Sequence, residues 1–320
     1  MLRGRGSCGV DSADALSIQG YECLLPSYRE KRKWSRGKAV GRADREHRGR
    51  EPMFGRALAC VVFSFARLCS TEIHFHNADR SIIEERLRAS GKSNAERHDA
   101  VRALFEKVGC ADHLEDQNVK HAKTPNVICT LAGSTDALIV VGAHYDFVDK
   151  GAGVIDNWSG ASLLSSLYEG LKAFPRKHTF VFIAFTDEEA GLVGSKYYVA
   201  QMKKDGIEKI GFMVNMDSLG TSTTKFEMDR ADKRLAHALV AVAATLKLPL
   251  SIVNVHQVGE SDADSFEDRK VPAIVLHSIT QETLPLLHTR GDQMSAIHLD
   301  EYYDSYRLIQ AYLAYLDEMQ

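Results

Sequence analysis

Five short stretches carry side chains that bind cations or move protons, and each lies just beyond an apolar run. His144 and Asp146 close "ALIVVGAHYD", and Asp156-Asn157 follow in "VIDNWSG". Asp187-Glu188-Glu189 close "HTFVFIAFTDEE", Asp217 closes "IGFMVNMD", and His288 stands in "LLHTRGD". Taken singly, each has an ordinary explanation. An Asp before a helix is commonly an N-cap, and a Glu pair is commonly a solvated turn. Taken together, they bring two imidazoles and a surplus of carboxylates to one place. Burying that many carboxylates is costly unless something compensates them, and a divalent cation does so. Two His and three carboxylates suit zinc, with cobalt or manganese as substitutes. The set is large enough for two ions sharing one carboxylate, with one further carboxylate left to act as a base.

The elements that must position these residues can be read from the same runs. "NVICTL", "ALIVVGAH", "HTFVFIAFT", "IGFMVNMD", "LSIVNV" and "PAIVLHSI" are short, rich in β-branched and aromatic residues, and mostly apolar on both faces. Strands covered on both sides read this way. Amphipathic helices fall between several of them. One carries the stripe Leu164, Leu167, Tyr168, Leu171 and Phe174, and others cover 231–247 and 300–318. Residues 81–108 are also expected to be helical, with capping boxes at Ser81-Glu84 and Ser93-Glu96. The alternation predicts an α/β fold, a single domain with a mixed, mostly parallel central sheet and helices on both faces. In such sheets ligands bind beyond the carboxyl ends of the strands, where the candidate residues fall.

The bulk composition agrees with a soluble enzyme. The chain has 320 residues, 44% hydrophobic and 26% charged, with a formal net charge of -3. Nothing in that balance points to a nucleic-acid partner. Residues 1–52 form an extension with a strongly basic run over 29–56, expected to be disordered. Residues 53–70, "MFGRALACVVFSFARLCS", read as a signal peptide beginning at Met53, with a buried helix as the alternative. Its apolar core, Ala57 to Ala66, is too short to span a bilayer. The expected product is exported, periplasmic or extracellular, or tethered to a membrane through this segment. Residues 71–320 make the functional domain. Of six cysteines only Cys110 and Cys129 lie inside it, and no CxxC spacing supports a thiolate zinc site. These two could pair in an exported protein. Two free buried thiols is the alternative.

The series "HYD", "DNWSG", "FTDEEAGLVGS", "NMDSLG" and "LLHTRGD" resembles the motifs of the di-zinc aminopeptidase family over residues 81–320. That family includes bacterial leucyl aminopeptidases and aminopeptidase Y; glutaminyl cyclases and the transferrin-receptor ectodomain are relatives. The resemblance implies a phosphorylase/hydrolase-like zinc exopeptidase fold. It implies that His144 and Asp217 hold one zinc, Glu189 and His288 the other, and Asp156 both. Glu188 would be the general base, and Asp146 would orient His144. The substrate would be a peptide with a free N-terminus, its α-amine anchored near the metals. A cis peptide bond between Asp156 and Asn157 is implied as well. Some residues depart from the pattern. Ala263 follows Ser261-Asp262 where the family commonly has His, and Leu287 precedes His288 where Tyr is frequent. Both bear on substrate preference. His256 and His277 also follow apolar runs and compete with His288, which the following "TRGD" and the C-terminal helix favour. Two rival readings remain. One is a glutaminyl cyclase, with the same fold, one zinc and an N-terminal pyroglutamate product. The other is a binding module without catalysis.

Overall fold

The computed structural model describes residues 14–19, 70–253 and 259–319. In chain order the strands and helices are β1 (Asp14–Gln19), β2 (Ser70–Phe75), α1 (Arg80–Arg88), α2 (Asn94–Lys107), β3 (Leu114–Gln117), β4 (Asn126–Leu131), β5 (Leu138–His144) and α3 (Ser159–Lys172). There follow β6 (Thr179–Phe185), α4 (Val193–Gln201), α5 (Lys204–Glu208), β7 (Ile210–Met216), β8 (Lys225–Glu227), α6 (Lys233–Leu246), β9 (Ser251–Val253), α7 (Asp262–Glu267), β10 (Ala273–Leu276) and α8 (Leu299–Glu318).

Six strands form the central sheet in the order β10-β7-β5-β6-β4-β3. β10, β7, β5 and β6 run parallel, and β4 and β3 continue the sheet antiparallel. The sheet is therefore mixed and mostly parallel. β5 lies in the middle of the parallel part because the chain goes from it to β6 on one side, then crosses back to β7 on the other. The direction of winding reverses there, which opens a crevice beyond the carboxyl end of β5.

Alternate side chains of one strand enter separate cores. Ile139, Val141 and Ala143 of β5 pack in the cluster with Leu164 of α3, Leu239 of α6 and Leu313 of α8. Val140 packs in the other cluster, with Tyr198 of α4 and Phe266 of α7. Burial on both faces is why the strand sequences show no period of two.

The sequence reading needs correction at several points. Residues 81–108 fall in two helices, parted at 89–93. At Gly91 an added Cβ would come within 2.6 Å of the Arg97 backbone nitrogen, so the chain doubles back tightly against the start of α2. α1 begins at Arg80 behind Asp79, whose side chain makes no capping bond, so Ser81 lies inside the helix and its box does not form. Ser93 does cap α2, accepting from Glu96 N at 3.2 Å, but the Glu96 carboxylate accepts from Lys92 N instead of Ser93 N. Cys110 and Cys129 form a disulfide that ties the turn after α2 to β4, so the free-thiol alternative does not hold. Of residues 1–52 the described part is Asp14–Gln19, a strand paired with β2, and the basic run over 29–56 lies outside the described residues. The segment read as a signal peptide lies outside the described residues apart from Ser70. Among the described residues no helix is long and apolar enough to cross a membrane.

Candidate metal centre

The parallel strands deliver their last residues to one crevice. His144 is the final residue of β5 and is paired with Phe185, so the turn 186–189 after β6 emerges beside it. Asp217 follows β7 directly. Asp187, Ser218 and His288 each adopt a left-handed backbone, with φ of 50°, 59° and 56°. Residues with side chains avoid this region, at a cost of about 1–3 kcal/mol each. Each is a candidate ligand or lies next to a candidate residue, where the chain must reverse as soon as it leaves a strand or turn.

The Asp156 carboxylate occupies the middle of the group. Its Oδ1 is 3.1 Å from His144 Nε2, and its Oδ2 is 3.1 Å from His288 Nε2. On one side Asp217 Oδ1 lies 3.8 Å from His144 Nε2, with Glu188 Oε2 at 3.9 Å. On the other, Glu189 Oε2 lies 2.9 Å from His288 Nε2. Potential ligand atoms converge in three triads, His144-Asp156-Asp217, Asp156-Glu189-His288 and His144-Glu188-Glu189, with all atoms of a triad within 4.8 Å of one another. The first two share Asp156. His144 and Asp156 are buried, whereas His288 is 51% exposed on its side-chain surface.

Asp146 serves two consecutive amides. Its Oδ1 accepts from Glu188 N at 3.0 Å and its Oδ2 from Glu189 N at 3.2 Å. Its contact with His144 runs through the backbone, with Nδ1 3.2 Å from the Asp146 carbonyl oxygen and 3.6 Å from the carboxylate. With Nδ1 occupied by that carbonyl, Nε2 is the ring atom that addresses Asp156.

Several residues around the Asp156 turn have supporting roles that the sequence did not reveal. Asp292 accepts from Ile155 N at 2.7 Å and from Asp156 N at 3.3 Å. The Asn157 amide donates to Met216 O and accepts from Ser218 N and Gly160 N. Ser159 Oγ accepts from Leu219 N and donates to Ile155 O. Arg97, fully buried, donates to the carbonyls of Tyr145, Ala152 and Gly153 and lies 4.2 Å from the Phe147 ring centroid. It thus secures the loop between His144 and Asp156. Burial pushes it down to about 10, against the pull of Asp292, Asp146, Asp156 and Glu189. A signal for it did exist, because Arg97 falls four residues before Val101 on the apolar stripe of α2. The Asp156–Asn157 peptide bond is cis.

The electrostatics describe a crowd of acids around two bases. Burial opposes charge on His144, but Glu188, Asp146, Asp156 and Asp217 outweigh it and hold the imidazole well above its ordinary value. Burial likewise opposes charge on Asp156, but the two histidines hold it below the usual carboxylate range. Burial drives Glu188 up to about 9, with Asp217, Asp262 and Asp156 adding to it. Glu189 rises to about 7 through burial and Asp156. Asp262, fully buried and raised to about 7 mainly by that burial, has neither carboxylate oxygen hydrogen-bonded; Glu189 Oε1 is also buried without a partner. Imidazole nitrogens, clustered carboxylates and an orphaned oxygen make a donor set that fits divalent cations.

Of the rival histidines, His277 does not join this group. His277 is buried, its Nδ1 accepts from Ile279 N, and burial pushes it down to about 4. His256 lies outside the described residues. Ala263 is buried in α7.

Residues 126–313 match the family model described as peptidase family M28. Aminopeptidase YwaD of Bacillus subtilis (strain 168) is 29% identical over 167 residues, covering 50% of this chain and 37% of its own length. The chain thus spans little more than a third of that curated relative. BSAP, a zinc aminopeptidase from Bacillus subtilis, superposes with a TM-score of 0.54 at 25% identity, over 59% of this chain and 49% of that one. A glutaminyl cyclase from an Acidobacteriales bacterium superposes with a TM-score of 0.64 at 17% identity, over 75% of this chain and 94% of that one, a likeness of fold. The matched span contains the whole parallel sheet and all of His144, Asp156, Glu188, Glu189, Asp217 and His288, and the chain belongs to peptidase family M28.

Proposed function

We propose that the protein is a zinc-dependent aminopeptidase that hydrolyses the N-terminal peptide bond of peptides. The observation that carries this reading is the Asp156 carboxylate set between His144 and His288, each ring with its own further carboxylate. Membership of a peptidase family supports it. His144 and Asp217 would hold one zinc, Glu189 and His288 a second, and Asp156 both; cobalt or manganese would substitute. Bound zinc supplies Lewis acidity, which polarises the scissile carbonyl and acidifies water. Glu188 takes the proton of the attacking water and passes it to the leaving amine. Asp146 keeps Glu188 and Glu189 side by side through their amides. The excess of carboxylates in the crevice favours a substrate that presents an amine.

Incubating the zinc-loaded protein with aminoacyl chromogenic substrates and with a Gln-initiated peptide tests the reading. Release of the chromophore and of free glutamine is expected. Loss of ammonia without cleavage would replace it with a cyclase, and neither product from zinc-bound protein would replace it with a binding module.

We also propose export through residues 53–70. The Cys110–Cys129 disulfide supports an oxidising compartment. Expression from Met53 in a secretion-competent host should yield a mature N-terminus near residues 69–72; uncleaved cytosolic protein would reject the proposal.

A further inference from the structure

We infer that the turn carrying Asp156 is held by two separate hydrogen-bond clamps, and that each clamp sets the geometry of one ion position. Asn157 and Ser159 are the positioning residues for the His144-Asp156-Asp217 position. Asp292 is the positioning residue for the Asp156-Glu189-His288 position. The inference rests on the two-ion reading above and concerns which residues make each position tight.

The first clamp joins the Asp156 turn to the Asp217 turn. Asn157 Nδ2 donates to Met216 O at 2.8 Å, and Asn157 Oδ1 accepts from Ser218 N at 3.1 Å. Ser159 Oγ accepts from Leu219 N at 2.8 Å and donates to Ile155 O at 2.7 Å. Met216, Ser218 and Leu219 bracket Asp217, while Ile155 and Asn157 bracket Asp156. The two carboxylates thus stand on turns stitched together on both sides of each ligand. Asn157 and Ser159 are fully buried, so water does not compete for these bonds. Tyr302 of α8 donates to Ser159 O at 2.7 Å, which anchors this clamp in the helix layer.

The second clamp joins the Asp156 turn to the loop of His288. The Asp292 carboxylate accepts from Ile155 N and Asp156 N, and its carbonyl accepts from Ala152 N at 2.8 Å. Asp292 stands four residues beyond His288, and its own N–H donates to Thr289 O at 3.1 Å. At Gly151 an added Cβ would lie 2.2 Å from Thr289 O, so the two loops already touch through backbone. Among the described residues Asp292 makes no hydrogen bond to 216–219, and Asn157 and Ser159 make none to 288–292. The clamps share the Asp156 turn and nothing else.

The plain alternative is that these bonds only hold the fold together. A structural role would loosen both ion positions alike, whereas two clamps predict selective loss. Partners that orient metal ligands typically change affinity by about 10–100-fold. The test uses cobalt(II) titration of the full chain, read by calorimetry and by the d–d absorption of the bound ion. The wild type is titrated first and should bind two equivalents. His288→Ala then leaves the position built on His144 and Asp217, and Asp217→Ala leaves the one built on Glu189 and His288. In the His288→Ala background, Ser159→Ala should weaken cobalt binding by about 10–100-fold while Asp292→Asn changes it little. In the Asp217→Ala background the pattern should reverse. Asn157→Asp, which keeps the acceptor and loses the donor, probes the first clamp again; Asp292→Ser does so for the second. Melting temperatures of the metal-free variants register any general damage. Equal weakening of both positions by either substitution, or no weakening by any, overturns the inference. A wild type that binds one equivalent overturns the two-ion reading itself, a separate result seen before any clamp variant is made.

Discussion

Asp156 presents one carboxylate oxygen to His144 and the other to His288, each 3.1 Å from an Nε2. No other side chain of the group faces both rings in this way. Asp156→Ala should therefore remove both ion positions, with zinc content after desalting near zero and hydrolysis below detection. A variant that retains one tightly held zinc would show that Asp156 serves a single position.

Glu188 stands apart from the two shared triads, 3.9 Å from His144 Nε2. Glu188→Gln should keep its metal and lose turnover by about 10²–10⁴-fold, the range of general acid–base catalysis. Near-normal turnover in a metal-replete variant would remove Glu188 from proton transfer.

The metal-free protein should lose stability as the pH rises. His288 is raised from 6.5 to about 9, first by its hydrogen bond with Asp156. A raised histidine contributes stability that is full below pH 6.5 and is lost as the pH climbs through 9. Glu189 is raised from 4.5 to about 7 by burial, so ionising it destabilises the fold over that interval. Both shifts mean that the folded state holds more protons, so both slopes point the same way. Melting temperatures of chelator-treated protein should fall between pH 6.5 and 9, and zinc should flatten the profile. A flat or rising profile without metal would contradict the assignment.

The disulfide between Cys110 and Cys129 closes a loop with a sequence separation of 19. Replacing both cysteines by serine should cost about 3 kcal/mol in denaturant unfolding, the range for a loop of this size. Unchanged stability after reduction would show that the helix and strand packing already confines the loop.

How far the fold could be read depended on where each element buries its side chains. "NVICTL" is β4 residue for residue, because a central strand covered on both faces declares itself by an unbroken apolar run. β3, "LEDQ", does not, since an edge strand needs only its backbone to pair and its acidic side chains face outward. The candidate residues at the ends of β5, β6 and β7 were legible for a related reason, as each places a charge where an apolar run stops, whereas His288, in an exposed loop, was legible only through the motif around it. The supports of Asp156 were not. Asp292 acts on main-chain amides 136 and 137 residues away, and Asn157 reaches across 59 residues to Met216. A bond to a peptide group leaves no mark on the partner's side-chain identity, so spacing cannot reveal it. Asp146 was legible as a residue, but the grip of its carboxylate on the amides of Glu188 and Glu189 was not.

That grip has a consequence for descent. The proposed base and one proposed ligand are consecutive residues on a single turn, and one carboxylate fixes both. Neither can be repositioned without moving the other. A lineage that altered Asp146 would disturb proton transfer and cation retention together. The passage from catalyst to inert scaffold would therefore be abrupt, a single step with no intermediate that keeps one ability at full strength.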